Sequence, residues 1–236
     1  MSERRQEIAA NLETVRRRIA SACRDTGRDA SEVTLTVVTK FFPVSDVRIL
    51  DDLGIDHVGE NRHQEAEEKA ADTRDLDLHW HFIGTLQSNK AAAVAAYADV
   101  VESVDRVKLI TGLSKGAHTR DSAVNCLVQV SFDPFSEGDA QRRGGAAPAD
   151  VMPLAERLAA ADDLRLRGVM AIAPLGQDPA PCFDRLAELS DQVRQIDRAA
   201  TWISAGMSDD LEAAIRSGAT HVRIGSAVLG RRPSIK

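Results

Sequence analysis

No stretch of about 20 apolar residues occurs in the 236-residue chain, which argues against a membrane-spanning helix. The opening Met1-Ser2-Glu3-Arg4-Arg5-Gln6-Glu7 is charged where a secretory leader would be apolar, so a cytoplasmic protein is expected. Positive charge is not in excess: 30 Lys and Arg stand against 36 Asp and Glu, for a net charge of -6. A general electrostatic grip on nucleic acid or an anionic membrane is therefore not expected, and a small ligand fits better. Cysteine is scarce. Cys23, Cys126 and Cys182 are odd in number, far apart and without a CxxC pair, which points to reduced core residues rather than a disulfide framework or a zinc knuckle. Histidine is missing between residues 122 and 220. His79 and His81 share a strand face and resemble half of a barrel metal site, but later ligands are wanting. No metal is expected, and the pair reads as satisfied polar groups around Trp80.

What is present is a core-sized hydrophobic fraction, 43%, in an unbroken alternation of strand-like and helix-like segments. Ile8, Leu12, Val15 and Ile19 recur at helical spacing and Gly27 supplies a stop, which predicts an amphipathic helix within residues 1–27. Strand-like runs follow near 33–39, 56–59, 78–83, 99–103, 123–131, 164–172, 201–205 and 220–225. Amphipathic segments lie between them, such as 180–197, where Phe183, Leu186, Leu189, Val193 and Ile196 form one stripe. Eight strand–helix units match an α/β fold of the (β/α)8 TIM-barrel type, whereas a doubly wound sheet usually stops at five or six strands. The whole of 1–236 reads as one domain. Segment 132–146, rich in turn formers and charge but too short for a linker, is expected to be a mobile loop after strand five.

Barrels of this kind bind ligands at the C-terminal ends of their strands and lodge phosphates in the loops after strands seven and eight. Lys40 ends the first apolar run, Val33-Thr34-Leu35-Thr36-Val37-Val38-Thr39-Lys40. Burial strips hydration from an ammonium, and the neutral amine is a nucleophile for Schiff-base chemistry with a carbonyl. After strand seven, Ser204-Ala205-Gly206-Met207-Ser208-Asp209-Asp210 offers a glycine turn into a helix that Ser208 can cap, with backbone N–H groups left for an anion. Asp209 and Asp210 would repel that anion unless they point outward. After strand eight, Gly225-Ser226 is small enough for an anion to reach the main chain. Residues two apart share a face, so Lys40 and Arg223 converge at the mouth if the faces carrying Thr36 and His221 line the barrel. Each feature alone has a plainer reading: a solvated lysine, two tight turns, an arginine paired with a carboxylate. Together, a partner for an aldehyde, two phosphate loops and a partner for a ring nitrogen describe pyridoxal 5′-phosphate.

Seven motifs then carry a resemblance across nearly the whole chain. Val38-Thr39-Lys40, Gly59-Glu60-Asn61, Trp80-His81-Phe82-Ile83-Gly84, Leu86-Gln87-Ser88-Asn89-Lys90, Arg167-Gly168-Val169-Met170-Ala171-Ile172, Gly206-Met207-Ser208-Asp209-Asp210 and Val222-Arg223-Ile224-Gly225 resemble the pyridoxal phosphate homeostasis protein family, related to the alanine racemase barrel domain. The resemblance implies a fold type III barrel with the cofactor on Lys40 as an internal aldimine, Asn61 near the ring substituents and Arg223 at the ring nitrogen. It also implies phosphate contacts from Ser204, Gly206, Ser208, Gly225 and Ser226, with Met207 against the cofactor. Thr39, Val58 and Ala205 depart mildly from the family pattern. The loop carrying Phe135, Glu137, Arg142 and Arg143 departs furthest from the family's lysine- and serine-containing version.

Racemases related to this barrel need acid–base groups on both faces of the substrate Cα, and in alanine racemases the second is a tyrosine from a further C-terminal domain. Here the chain is expected to stop at Lys236 without one, and the only tyrosine, Tyr97, falls in a helical segment before strand four, away from the strand ends. An arginine at the ring nitrogen disfavours protonation there and weakens the ring as an electron sink. The expectation is a monomeric carrier with no catalytic residues. It would buffer pyridoxal phosphate and pass it to apo forms of pyridoxal phosphate-dependent enzymes, contributing to vitamin B6 and amino-acid homeostasis. A racemase of low activity is the alternative.

Overall fold

The computed structural model describes residues 2–120, 122–133 and 144–231. Helix α1 (Glu3–Asp25) is capped by the Ser2 hydroxyl and stops where Gly27 turns left-handed at φ 68°. Strand and helix then alternate as β1 (Thr34–Val38), α2 (Val44–Asp52), β2 (His57–Glu60), α3 (His63–Asp72), β3 (His79–Phe82), α4 (Ala91–Ala95), β4 (Val100–Val104) and α5 (Val107–Ala117). The second half continues with β5 (Val124–Val130), α6 (Val151–Ala159), β6 (Leu164–Ala171), α7 (Ala180–Ile196), β7 (Trp202–Ser204), α8 (Leu211–Arg216), β8 (His221–Ile224) and α9 (Ser226–Leu229). The eight strands are parallel and pair in sequence order, with β8 closing onto β1. This is the expected (β/α)8 TIM barrel.

Strand alternation divides the side chains into two sets. Val37, Val58, Trp80, Phe82, Val101, Val128, Val169 and Ile224 face the helices in two large apolar clusters, so Trp80 and Phe82 are sheet–helix core. The other set fills the barrel. Val100, Leu127 and Met170 form a separate apolar cluster there, with Ile172 and Trp202 against it. The inward set also includes buried polar residues: Thr36, His81, Glu102, Ser204, His221 and Arg223.

The extra helix covers one side of this barrel. Ile8, Leu12, Val15 and Ile19 are all buried, in a cluster with Leu211 and Ile215 of α8 and Val228 and Leu229 of α9. Arg4 ties three elements together, bonding Asp46 on α2 at 2.5 Å and the Leu229 carbonyl at 2.9 Å. Gly168 marks the tightest approach between strands. Its φ is 147°, and a Cβ there would lie 1.9 Å from the Trp202 carbonyl oxygen, so β6 and β7 can pair only with glycine at that point. All three cysteines are buried and unpaired. Among the described residues, no helix is long and apolar enough to cross a membrane. Residues 134–143 of the expected mobile loop lie outside the described residues. The adjoining backbone is pinned by a parallel bridge between Ala146 and Val130 and by the Gly145 N–H donating to Asp105 Oδ2 at 3.1 Å.

Candidate functional site

A cavity of about 410 Å³ opens at the C-terminal ends of the strands, within the size range of small-molecule sites. Seven of the nine binding residues expected from sequence line it: Lys40, Asn61, Met207, Ser208, Arg223, Gly225 and Ser226. Apolar wall comes from Val38, Phe42, Ile83 and Ile172. Ser204 and Gly206 are not brought into this lining. Both are buried beneath the loop, where a Cβ on Gly206 would lie 2.7 Å from that of Ala214.

Lys40 lies two residues past the end of β1 and is half-buried. The next residue, Phe41, holds φ 70°, a left-handed conformation that costs a non-glycine residue about 1 kcal/mol or more. A buried clamp fixes this backbone. The Phe41 N–H donates to Glu65 Oε1 at 2.7 Å, and Lys69 Nζ donates to the same oxygen at 2.7 Å, to the Thr39 carbonyl at 2.9 Å and to Glu60 Oε1 at 2.6 Å. The Thr39 hydroxyl also donates to Glu60 Oε1, at 2.7 Å. Burial pushes the Glu60 carboxyl above its ordinary pKa, opposed by its bonds to Lys69 and Thr39. The main chain on both sides of Lys40 is thereby tied to the start of α3 and the end of β2. Glu60 is the inner anchor of the Gly59-Glu60-Asn61 motif. Lys69 and Glu65, one helical turn apart on α3, carry no signal in the sequence that marks them as part of this clamp.

Asn61 is held from behind by Gly84, where a Cβ would meet the Asn61 carbonyl oxygen at 2.2 Å. Its side-chain Oδ1 is buried and has no hydrogen-bond partner. An orphaned polar atom of this kind costs about 1–3 kcal/mol, so an oxygen bordering the cavity is poised for a ligand donor.

Arg223 lies 4% exposed at the cavity floor. Its Nη2 donates to the Ala171 carbonyl at 2.9 Å and its Nη1 to Ser204 Oγ at 2.6 Å. Ser204 in turn donates to Glu102 Oε2 at 2.6 Å, and that oxygen lies 3.7 Å from Arg223 Nη1. The other oxygen, Glu102 Oε1, meets His81 Nδ1 at 2.7 Å, and His81 Nε2 meets His57 Nδ1 at 2.8 Å. A hydrogen-bonded line therefore runs through the barrel from the cavity towards its N-terminal mouth. Burial alone would raise the Glu102 pKa, but the bond and charge of His81 and the charge of Arg223 hold it down at about 2. Burial pulls the Arg223 guanidinium down, with the Glu102 charge opposing. Glu102 was not anticipated. The signal available was a carboxylate at inward parity in Val100-Val101-Glu102-Ser103-Val104, a strand whose other residues are three valines and a serine.

The loop after β7 differs from expectation. Helix α8 begins at Leu211, so Ser208 does not cap it, and Asp210 makes no side-chain cap bond either. Instead Asp210 Oδ1 reaches back to accept the Met207 N–H at 2.5 Å. A carboxylate three residues on is the stronger acceptor, so it takes an N–H that the sequence reading reserved for an anion. Asp209 lines the cavity rim. Ser208 from this loop and Gly225-Ser226 at the start of α9 remain on the wall. Tyr97 sits in the turn after α4 with its ring stacked on His63, and it is not part of the lining.

The family model described as alanine racemase, N-terminal domain, matches residues 4–233. A pyridoxal phosphate homeostasis protein of Pseudomonas aeruginosa is 40% identical over 95% of this chain and 96% of its own. That of Mycobacterium tuberculosis H37Rv is 38% identical over 98% and 95%. Among solved structures, PipY of Synechococcus elongatus PCC7942 with PLP bound superposes with a TM-score of 0.81 at 31% identity, covering 94% of this chain and all of its own. Alanine racemase from Corynebacterium glutamicum, at 14% identity and TM-score 0.64, shares the fold, and the chain spans 64% of its length.

Proposed function

The chain belongs to the pyridoxal phosphate homeostasis protein family, and from that premise we propose that it holds pyridoxal 5′-phosphate covalently on Lys40 as a carrier rather than an efficient catalyst. When bound, the cofactor supplies an aldehyde that condenses with the Lys40 amine, releasing water, together with a phosphate and a ring nitrogen. One observation carries the reading: a lysine clamped through its neighbours shares a cavity with an orphaned Asn61 Oδ1 and a buried guanidinium. PipY, with PLP bound, supports it by similarity. Asn61 would accept from a ring substituent, and Arg223 would face the ring nitrogen. Ser208, Gly225 and Ser226 would receive the phosphate, with Met207 covering the ring. Ser204 would act through Arg223, which it already bonds, and Gly206 by letting the loop pack.

The same residues favour holding over turnover. Arg223 is pinned and cationic, so it keeps the ring nitrogen unprotonated and the ring a poor electron sink. Tyr97 is outside the cavity, and burial raises its pKa. We propose that the protein buffers the cofactor in the cytoplasm, as a monomer, and releases it to apo-enzymes that use it. Purified protein given pyridoxal phosphate is expected to absorb in the visible, and borohydride to fix the adduct on Lys40. Lys40→Ala should abolish the band, and a colourless wild type ends the proposal. Amino-acid α-proton exchange in deuterated water separates carrier from racemase: rates of ~1 s⁻¹ or above belong to an enzyme.

A further inference from the structure

We propose that the opposite, N-terminal mouth of the barrel carries a site for a divalent transition metal such as zinc, formed by Asp56, His57 and His79. One donor atom from each of these residues lies within 4.8 Å of the other two. His57 and His79 begin adjacent strands and face each other in register, with ring centroids 4.7 Å apart. Asp56 stands just before β2, and its carbonyl accepts the His79 N–H at 2.6 Å, which locks the two strand starts together. His81, which shares a strand face with His79, is not part of this set, because it lies two residues deeper and is engaged by Glu102.

The second observation is how His57 is held. Its Nδ1 is 2.8 Å from His81 Nε2, which leaves Nε2 for a metal. A metal on Nε2 requires the remaining ring proton on Nδ1 and an acceptor for it. His81 is that acceptor, since its own Nδ1–H is directed at the Glu102 carboxylate. Whichever ring holds the shared proton in the metal-free chain, metal binding leaves it on His57. A carboxylate behind a histidine behind a ligating histidine is the supporting shell that orients imidazole ligands and raises their basicity. Access is open: Asp56 and His79 are exposed, and Asp56 and His57 border a cavity of about 570 Å³ beneath α1. Two imidazoles and one carboxylate suit zinc, cobalt, nickel or copper rather than magnesium or calcium, and three protein ligands leave a position for water.

The proposal is independent of the cofactor reading, because the two sites lie at opposite ends of the strands. Tag-free, cofactor-loaded protein, freed of metal by chelator and dialysis, is titrated with Zn(II) by calorimetry and with Co(II) by visible absorption. The expected result is one equivalent per chain, with cobalt bands lacking thiolate charge transfer. His79→Asn, at an exposed position, should weaken binding at least tenfold without altering the cofactor band. Glu102→Gln should weaken it by about 10–100-fold, while Lys40→Ala should keep the full equivalent. Absence of stoichiometric uptake overturns the site, as does undiminished binding by folded His79→Asn, a thiolate band, or loss of the equivalent in Lys40→Ala.

Discussion

Replacing Glu102 by glutamine tests the buried line at the point where it bears most weight. The residue is 1% exposed and is the carboxylate partner of Arg223, itself 4% exposed. An amide keeps the shape and can still accept from His81 Nδ1 at the Oε1 position. Opposite Ser204 it presents an NH₂, so the serine hydroxyl loses its acceptor and the guanidinium loses its counter-charge. Removing one member of a buried ion pair costs about 3–5 kcal/mol. The lower end applies here, because the Ala171 carbonyl and Ser204 Oγ continue to satisfy two guanidinium N–H groups. For a domain of this size, about 3 kcal/mol lowers the melting temperature by roughly 6–12 °C. Melting is followed by circular dichroism at pH 7.5 in chelator, so that metal does not contribute. Glu102→Gln with Arg223→Met should lose less stability than the sum of the two single changes, since removing both members leaves no uncompensated charge. A Glu102→Gln protein melting within about 2 °C of wild type, or strict additivity in the double change, would refute the assignment of Glu102 as the anchor of Arg223.

Four further outcomes are expected. Lys69→Met strips Glu60 of its cation and the Thr39 carbonyl of its donor; a loss of about 3 kcal/mol or more in urea melts is expected, with weaker cofactor retention by gel filtration. Gly168→Ala forces a Cβ into the Trp202 carbonyl, and no soluble, cooperatively melting protein should be recovered. Burial and the charge of His81 hold His221 neutral, its pKa down at about 3 from 6.5. The unfolded ring takes up a proton below about pH 6.5 and the folded one does not until about 3, so stability should fall as pH is lowered through that window and stay level above it. His221→Gln should flatten that slope in melts taken from pH 7 to 4. Tyr97→Phe removes a buried hydroxyl without a partner, so stability should hold or rise by about 1 kcal/mol, and any trace α-proton exchange should be unchanged.

What the sequence made legible was local. The period-two and helical patterns placed all eight strands and α1, because each strand or helix must bury one face and parity follows from backbone geometry. The same parity brought Arg223 to the mouth, since Thr36 and Arg223 are register partners across β1 and β8. Helix α8 starts at Leu211, beyond the Ser208 cap expected from sequence, and the loop before it is closed by Asp210 accepting the Met207 N–H. The phosphate contact expected of Ser204 came from the family resemblance, and the bonds it makes within the barrel join strands that only the fold brings together. Glu102 stands 102 residues before it and Arg223 19 residues after. Lys69 gave no signal because a lysine four residues after a glutamate on a helix ordinarily faces water, and only the packing of α3 beside the end of β2 and the Thr39 backbone buries it.

On the proposed carrier reading, these non-local contacts also bear on why a barrel face holding a reactive aldehyde would not use it. Among the described residues lining the cavity, none is a histidine, cysteine or tyrosine, so apart from the rim carboxylate of Asp209 there is no side chain beside Lys40 suited to move a proton near neutral pH. The groups that could do so, His81 and His221, lie inside the barrel, with His81 bound to Glu102 and His221 kept neutral by burial. Moving a single acid–base group into that wall, for instance by Ile172→His on the strand-six side, should raise α-proton exchange while leaving the visible band in place. If exchange rose without any such change, through loss of Arg223's anchor alone, ring protonation rather than the missing acid would be the brake.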